Sequence, residues 1–162
     1  MSAVFTDEYL TGEVREAIHR FALQGREILT KEAQDLLEGV YGLHASGEFE
    51  PAENLPALAV VEARQIYLRL KRFLADETQA GLEPTEAVSK LVKEIAFTHL
   101  NRLVAFKMLE TSKLIREAVG RGSDSNGFKF YLADHPAEED LWKSGQVDLA
   151  YRHFLLWQAG EI

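Results

Sequence analysis

Apolar residues recur along this chain at steps of three and four, the spacing that lines side chains up on one face of an α-helix. Val14, Ala17, Ile18 and Phe21 mark a first run, Gly12 to Leu23, which Gly25 is expected to bend or break. A second run, Lys31 to Glu38, has Thr30 as its expected N-cap and Gly39 or Gly42 near its end. A third covers Leu55 to about Gln79, with Asn54 as N-cap and Pro56 tolerated in the first turn. The fourth, Thr85 to Val119, sets Val88, Leu91, Ile95, His99, Arg102, Phe106 and Leu109 on one stripe. Phe97, Leu100, Val104 and Met108 lie off that stripe, so the helix is apolar around much of its circumference, as a central buried helix is. A break can fall near Thr111–Ser112.

The segments between are punctuated by Gly and Pro. Ser123 to Gly127 is a turn signal, and Phe128 to Leu132 reads as a short strand or extended segment. A short helix is predicted from near Ala137, after Pro136, and a last one from about Gln146. That last run stays apolar almost to Ile162, which suggests that the natural protein continues. The expected fold is mainly α: an irregular multi-helix arrangement with a long central helix, forming a single helical domain over 1–162.

Composition narrows the classes. The 162 residues, 46% hydrophobic and 27% charged, suffice for one buried core and are too apolar for a disordered chain. No cysteine is present, so disulfides and thiolate metal sites are excluded. No run approaches the roughly 18 uninterrupted apolar residues of a membrane span. Met1 to Glu8 lacks the basic-then-apolar order of a signal peptide. A cytoplasmic location without membrane contact fits these features.

A net charge of -8 argues against a free-standing nucleic-acid binder. The charge is uneven, however: residues 88–122 hold seven Lys/Arg against three Glu. Arg102, Lys107, Lys113, Arg116 and Arg121 are therefore the residues to consider for contact with DNA or with a neighbouring domain. Each also has a plainer reading. Lys107, Lys113, Arg116 and Arg121 suit a solvated face, and Arg102, if buried, must pair with a carboxylate. Arg64, Arg69, Lys71 and Arg72 form a second basic cluster.

No catalytic signature is complete in the sequence. There is no GxGxxG, no Walker loop and no GxSxG. Gly120-Arg121-Gly122 resembles a phosphate loop but precedes a turn rather than a helix. Glu16 and His19 make a single Glu-x-x-His pair, whereas a di-iron bundle needs two pairs and two further glutamates. His99, within the apolar stripe, reads as a partly buried, satisfied histidine rather than a base. The aromatics Phe128, Phe130, Tyr131, Trp142, Tyr151, Phe154 and Trp157 could stack bases, although packing is the commoner use.

The segment Ala96 to Glu110, Ala-Phe-Thr-His-Leu-Asn-Arg-Leu-Val-Ala-Phe-Lys-Met-Leu-Glu, resembles the "FNRLVALRFME" stretch of large adenine-specific DNA methyltransferases. These include the PglX-like enzymes of BREX phage defence and fused restriction-modification proteins. Lys113-Leu114-Ile115-Arg116, the following Gly/Ser/Asp turn, Phe128–Leu132, and the earlier Glu38-Gly39-Val40-Tyr41-Gly42-Leu43 are similar to the same region. The resemblance implies an N-terminal helical region ahead of a catalytic domain that binds S-adenosylmethionine and methylates adenine. Its FxGxG-like and (N/D)PP(Y/F) motifs do not occur here, nor does a PD-(D/E)xK nuclease core. The chain then has no catalytic, cofactor-binding or metal residue of its own. S-adenosylmethionine belongs to the parent enzyme, and the implied partners are that enzyme's C-terminal methyltransferase domain and, through it, DNA. Two other readings stay open: a stand-alone helical protein-interaction module able to self-associate, and a small metal-dependent enzyme.

Overall fold

The computed structural model of the protein describes residues 11–160. The expectations for Met1–Glu8 and for the chain end at Ile162 lie outside those residues. The described residues form six α-helices and no strand, apart from one antiparallel bridge between Leu43 and Phe49. The helices are α1 (Gly12–Tyr41), α2 (Val61–Gln79), α3 (Pro84–Thr111), α4 (Asn126–Asp134), α5 (Pro136–Lys143) and α6 (Val147–Gly160). The chain divides into two compact units between Leu100 and Asn101, within α3.

Helix α1 corrects the expectation of two separate runs. Thr11 caps it by accepting the Val14 N–H, and the helix continues through Gly25, Thr30 and Gly39. A helical glycine costs only roughly 1 kcal/mol against alanine, too little by itself to interrupt a helix of 30 residues. Gly25 also makes room, since a Cβ there would lie 3.0 Å from Leu100 Cδ1. The end of α1 is set by Gly42 in the left-handed region (φ 61°), with Leu43 N–H closing back onto the Leu37 carbonyl.

In the first unit Ala33 and Leu37 of α1, Leu70 and Leu74 of α2, and Val88 and Val92 of α3 pack into an aliphatic core. A smaller cluster joins Leu55, Leu58 and Tyr67. The third predicted helix starts later than expected. Two 3-10 turns, Ala52–Asn54 and Pro56–Ala59, precede α2, because Leu55 and Val60 are extended and Leu55 and Leu58 turn inward.

The α3 stripe is only partly as expected. Val88 and Phe106 are buried, and Leu91, Ile95 and Leu109 half-buried, but His99 and Arg102 are exposed. From Phe97 to Ala105 no residue is buried. Position on an apolar stripe did not bury either side chain; both keep the hydration that an imidazole or guanidinium loses at high cost.

The second unit holds α4, α5 and α6. Phe128 to Leu132 belongs to α4, which corrects the expected strand. Buried Ser125 is extended and accepts the Phe128 N–H at 3.4 Å, so a helix starts there. Phe128, Tyr131 and Leu132 then share the face that packs on Ala118, Ala150 and Phe154. Pro136 prevents α4 from continuing and starts α5.

Candidate functional site

The five basic residues singled out by the sequence all lie in the second unit, on α3 and in the loop after it. Arg102 and Lys107, five residues apart, project about 140° from each other around α3. Lys107 Nζ is 2.6 Å from Glu110 Oε1, and Arg121 forms a close pair with both Glu117 oxygens. The Arg116 guanidinium lies over the Phe130 ring, 4.0 Å from its centroid. Arg102, Lys113 and Arg116 have no ion-pair partner among the described residues. In the first unit, Lys71 of the other basic cluster sits over the Phe49 and Tyr67 rings.

Glu110, which sequence reasoning passed over, organises this region. Its Oε2 accepts the N–H groups of Ala118, Val119 and Gly120, each at 3.0 Å, while Oε1 takes Lys107. Successive backbone N–H groups turned to one point make an anion-binding concavity. Here the anion is the protein's own carboxylate. Burial, the largest single influence, works to raise the Glu110 pKa; Lys107 and the three backbone donors outweigh it and lower it to about 2. The N–H of Gly120 is therefore already engaged, and the phosphate-like loop has a glutamate in the anion's place. Gly120 leaves room for this carboxylate: a Cβ there would lie 2.5 Å from Glu110 Oε1, and the Glu110 and Lys107 side chains would have to shift. A signal was present in the sequence: an acid closing a helix just ahead of a glycine-rich loop.

Other clips fasten the same loop. Tyr151 Oη of α6 donates to the Ala118 carbonyl at 2.8 Å. The Glu117 carboxylate, held below its ordinary pKa chiefly by Arg121, also accepts the Asn126 N–H at the start of α4. Gly127 sits so close to the Glu117 carbonyl that a Cβ would collide with it.

The remaining titratable groups are dispersed. His44 places Nδ1 2.8 Å from Glu38 and Nε2 3.3 Å from Glu50, so its cation joins the end of α1 to the following loop. His153 meets Glu138, and His135 stacks on Tyr131. Glu16 and His19 are both exposed on α1. Among the described residues no three His, Asp or Glu side chains are grouped to hold a metal ion, and no helix is long and apolar enough to cross a membrane. The end of α3 and the loop after it thus form a clipped segment in which Arg102, Lys113 and Arg116 have no ion-pair partner among the described residues. No protein-family model matches the chain, nor does any curated protein or solved structure.

Proposed function

We propose that this chain is the non-catalytic helical front of an adenine-specific DNA methyltransferase of the BREX or fused restriction-modification type. It braces the catalytic domain, and Arg102, Lys113 and Arg116 are available to DNA or to that domain. The observation that carries the reading is the Ala96–Glu110 stretch, whose closing glutamate anchors the next segment of the resemblance. S-adenosylmethionine has no place in this chain, which lacks the motifs that would hold it; it belongs to the catalytic domain that follows in such enzymes. The test is the source gene past codon 162: a frame running into FxGxG and (N/D)PP(Y/F) motifs supports the reading, and a stop codon removes it. A gel-shift titration against salt tests the DNA contact separately, since phosphate contacts weaken steeply as salt rises.

A stand-alone interaction module is the second reading. It is favoured by the first half of α1, where Val14, Ile18, Phe21 and Leu23 are exposed large apolar side chains. Sedimentation of the isolated chain distinguishes a monomer from a self-associating module.

A further inference from the structure

A groove of about 480 Å³ opens on the second unit between the end of α3, the loop after it, α4 and α6. Leu109, Ile115 and Tyr131 are its less exposed lining. Leu114, Phe130 and Trp157 also line it, and they are 72%, 53% and 40% exposed. Single exposed apolar residues need no explanation, but three along one groove mark a surface that is covered on binding.

The backbone contributes to this arrangement. Lys113, just past α3, has φ 58°, a left-handed conformation that costs a non-glycine residue about 1–2 kcal/mol. The Lys113 N–H bonds the Glu110 carbonyl and the Leu114 N–H the Leu109 carbonyl, and the turn delivers Leu114 to the groove. Charge selects the occupant. Lys107, Arg121 and Lys143 each have a carboxylate partner, whereas Arg116, on the groove, has only the Phe130 face. A guanidinium stacked on a ring still offers in-plane N–H donors at its edge, a geometry matched to a carboxylate. A nucleic-acid strand, with a phosphate at every nucleotide, fits less well than a single carboxylate set against Arg116. Arg116 is the only cation among the lining residues, Asp134 would face the further phosphates, and aliphatic Leu114 is the most exposed member.

We propose that this groove binds a polypeptide segment carrying a bulky apolar side chain next to an Asp or Glu, the apolar group entering between Leu114, Phe130 and Trp157 and the carboxylate pairing with Arg116. The proposal does not depend on the methyltransferase reading, since a brace domain and a stand-alone module would use the groove alike.

The test is selection of a random dodecapeptide library on the whole chain, followed by fluorescence anisotropy of an enriched peptide. Enriched peptides are expected to share an aliphatic or aromatic residue beside an acid. Affinity is expected to fall about tenfold or more when that acid becomes its amide, and similarly in Arg116→Ala. Lys143→Ala should bind as the native chain does. The change made on the peptide needs no protein variant, so it stands even if Arg116→Ala folds poorly. Failure to enrich any peptide, enrichment of basic peptides, or indifference to loss of the acid overturns the proposal. So does tighter binding of oligo-dT than of the peptide with the same dependence on Arg116. A stop codon after residue 162 would remove the methyltransferase reading and leave this result untouched.

Discussion

The two units use different means of holding helices together. The first joins stretches of three long helices through aliphatic residues such as Leu37, Leu70, Leu74 and Val92. The second has helices of 9, 8 and 14 residues, shorter than or near the roughly 12–15 residues at which an isolated helix is marginal in water. Its core is correspondingly aromatic: Phe128 packs against Tyr131, Tyr151 and Phe154, and Trp157 against Tyr131. It adds buried or half-buried polar clips, Glu110 on three N–H groups and Tyr151 on Ala118. Long helices can distribute their stabilisation along a stripe, so each contact matters moderately. Short helices concentrate it in a few rings and hydrogen bonds, so loss of one is felt throughout the unit.

The largest expected effect follows from that contrast. Phe128 is fully buried, and Phe128→Ala should cost about 3–5 kcal/mol. Hydrogen exchange should show protection lost across 112–160 while Leu70 and Leu74 of α2 stay protected. Simultaneous loss in both units would mean that they unfold as one, and the contrast would fail.

Glu110→Gln comes next. The amide cannot reproduce a charged acceptor for three N–H groups, and a loss of about 2 kcal/mol is expected in denaturant unfolding. The pH dependence has a fixed sign. The folded carboxyl titrates near 2 instead of its ordinary 4.5, so its stabilisation is present above about pH 4.5 and lost as pH falls toward 2. The native chain should therefore lose its advantage over Glu110→Gln in that window; an unchanged gap would remove the ionised clip from the account.

A smaller effect in the opposite direction is expected at Lys113. Glycine adopts φ 58° without strain, so Lys113→Gly should raise stability by about 1 kcal/mol. A drop in the melting temperature would show that the lysine side chain contributes more than its backbone costs.

The smallest effect belongs to the first unit. Glu38 first, and then Glu50, raise the His44 pKa by bonding its two ring nitrogens. The cation's contribution is full below the ordinary histidine value of about 6.5 and disappears as pH rises through the raised folded value. Melting curves of the native chain and His44→Gln, taken between pH 5.5 and 8.5, should converge toward the alkaline end. Parallel curves would assign His44 no charge-dependent role.

Much of the helical content was legible because a helix face is a local pattern. Val88, Phe106, Ala150 and Phe154 fall inside runs that periodicity alone marks as helical. Three features were not legible. Gly25 was read as a break, although in the fold it admits Leu100, a residue 75 positions away. Phe128–Leu132 carries too few residues for its period to separate strand from helix, and Ser125 as cap decided the matter. The five basic residues formed a cluster in sequence, but their ion pairs depend on where Glu110 and Glu117 turn.

The sequence by itself determined a mainly helical chain without cysteine, with its aromatics gathered in the last third and a local excess of positive charge in residues 88–122. These are properties of composition and of spacing over a few residues. Tertiary structure alone decided which cations are neutralised, that the glycine-rich loop closes on a glutamate, and that Leu114, Phe130 and Trp157 line one groove. Each of those depends on the direction in which a loop returns, and that is fixed by backbone donors and carbonyls that every residue shares, so the order of side chains carries little trace of it.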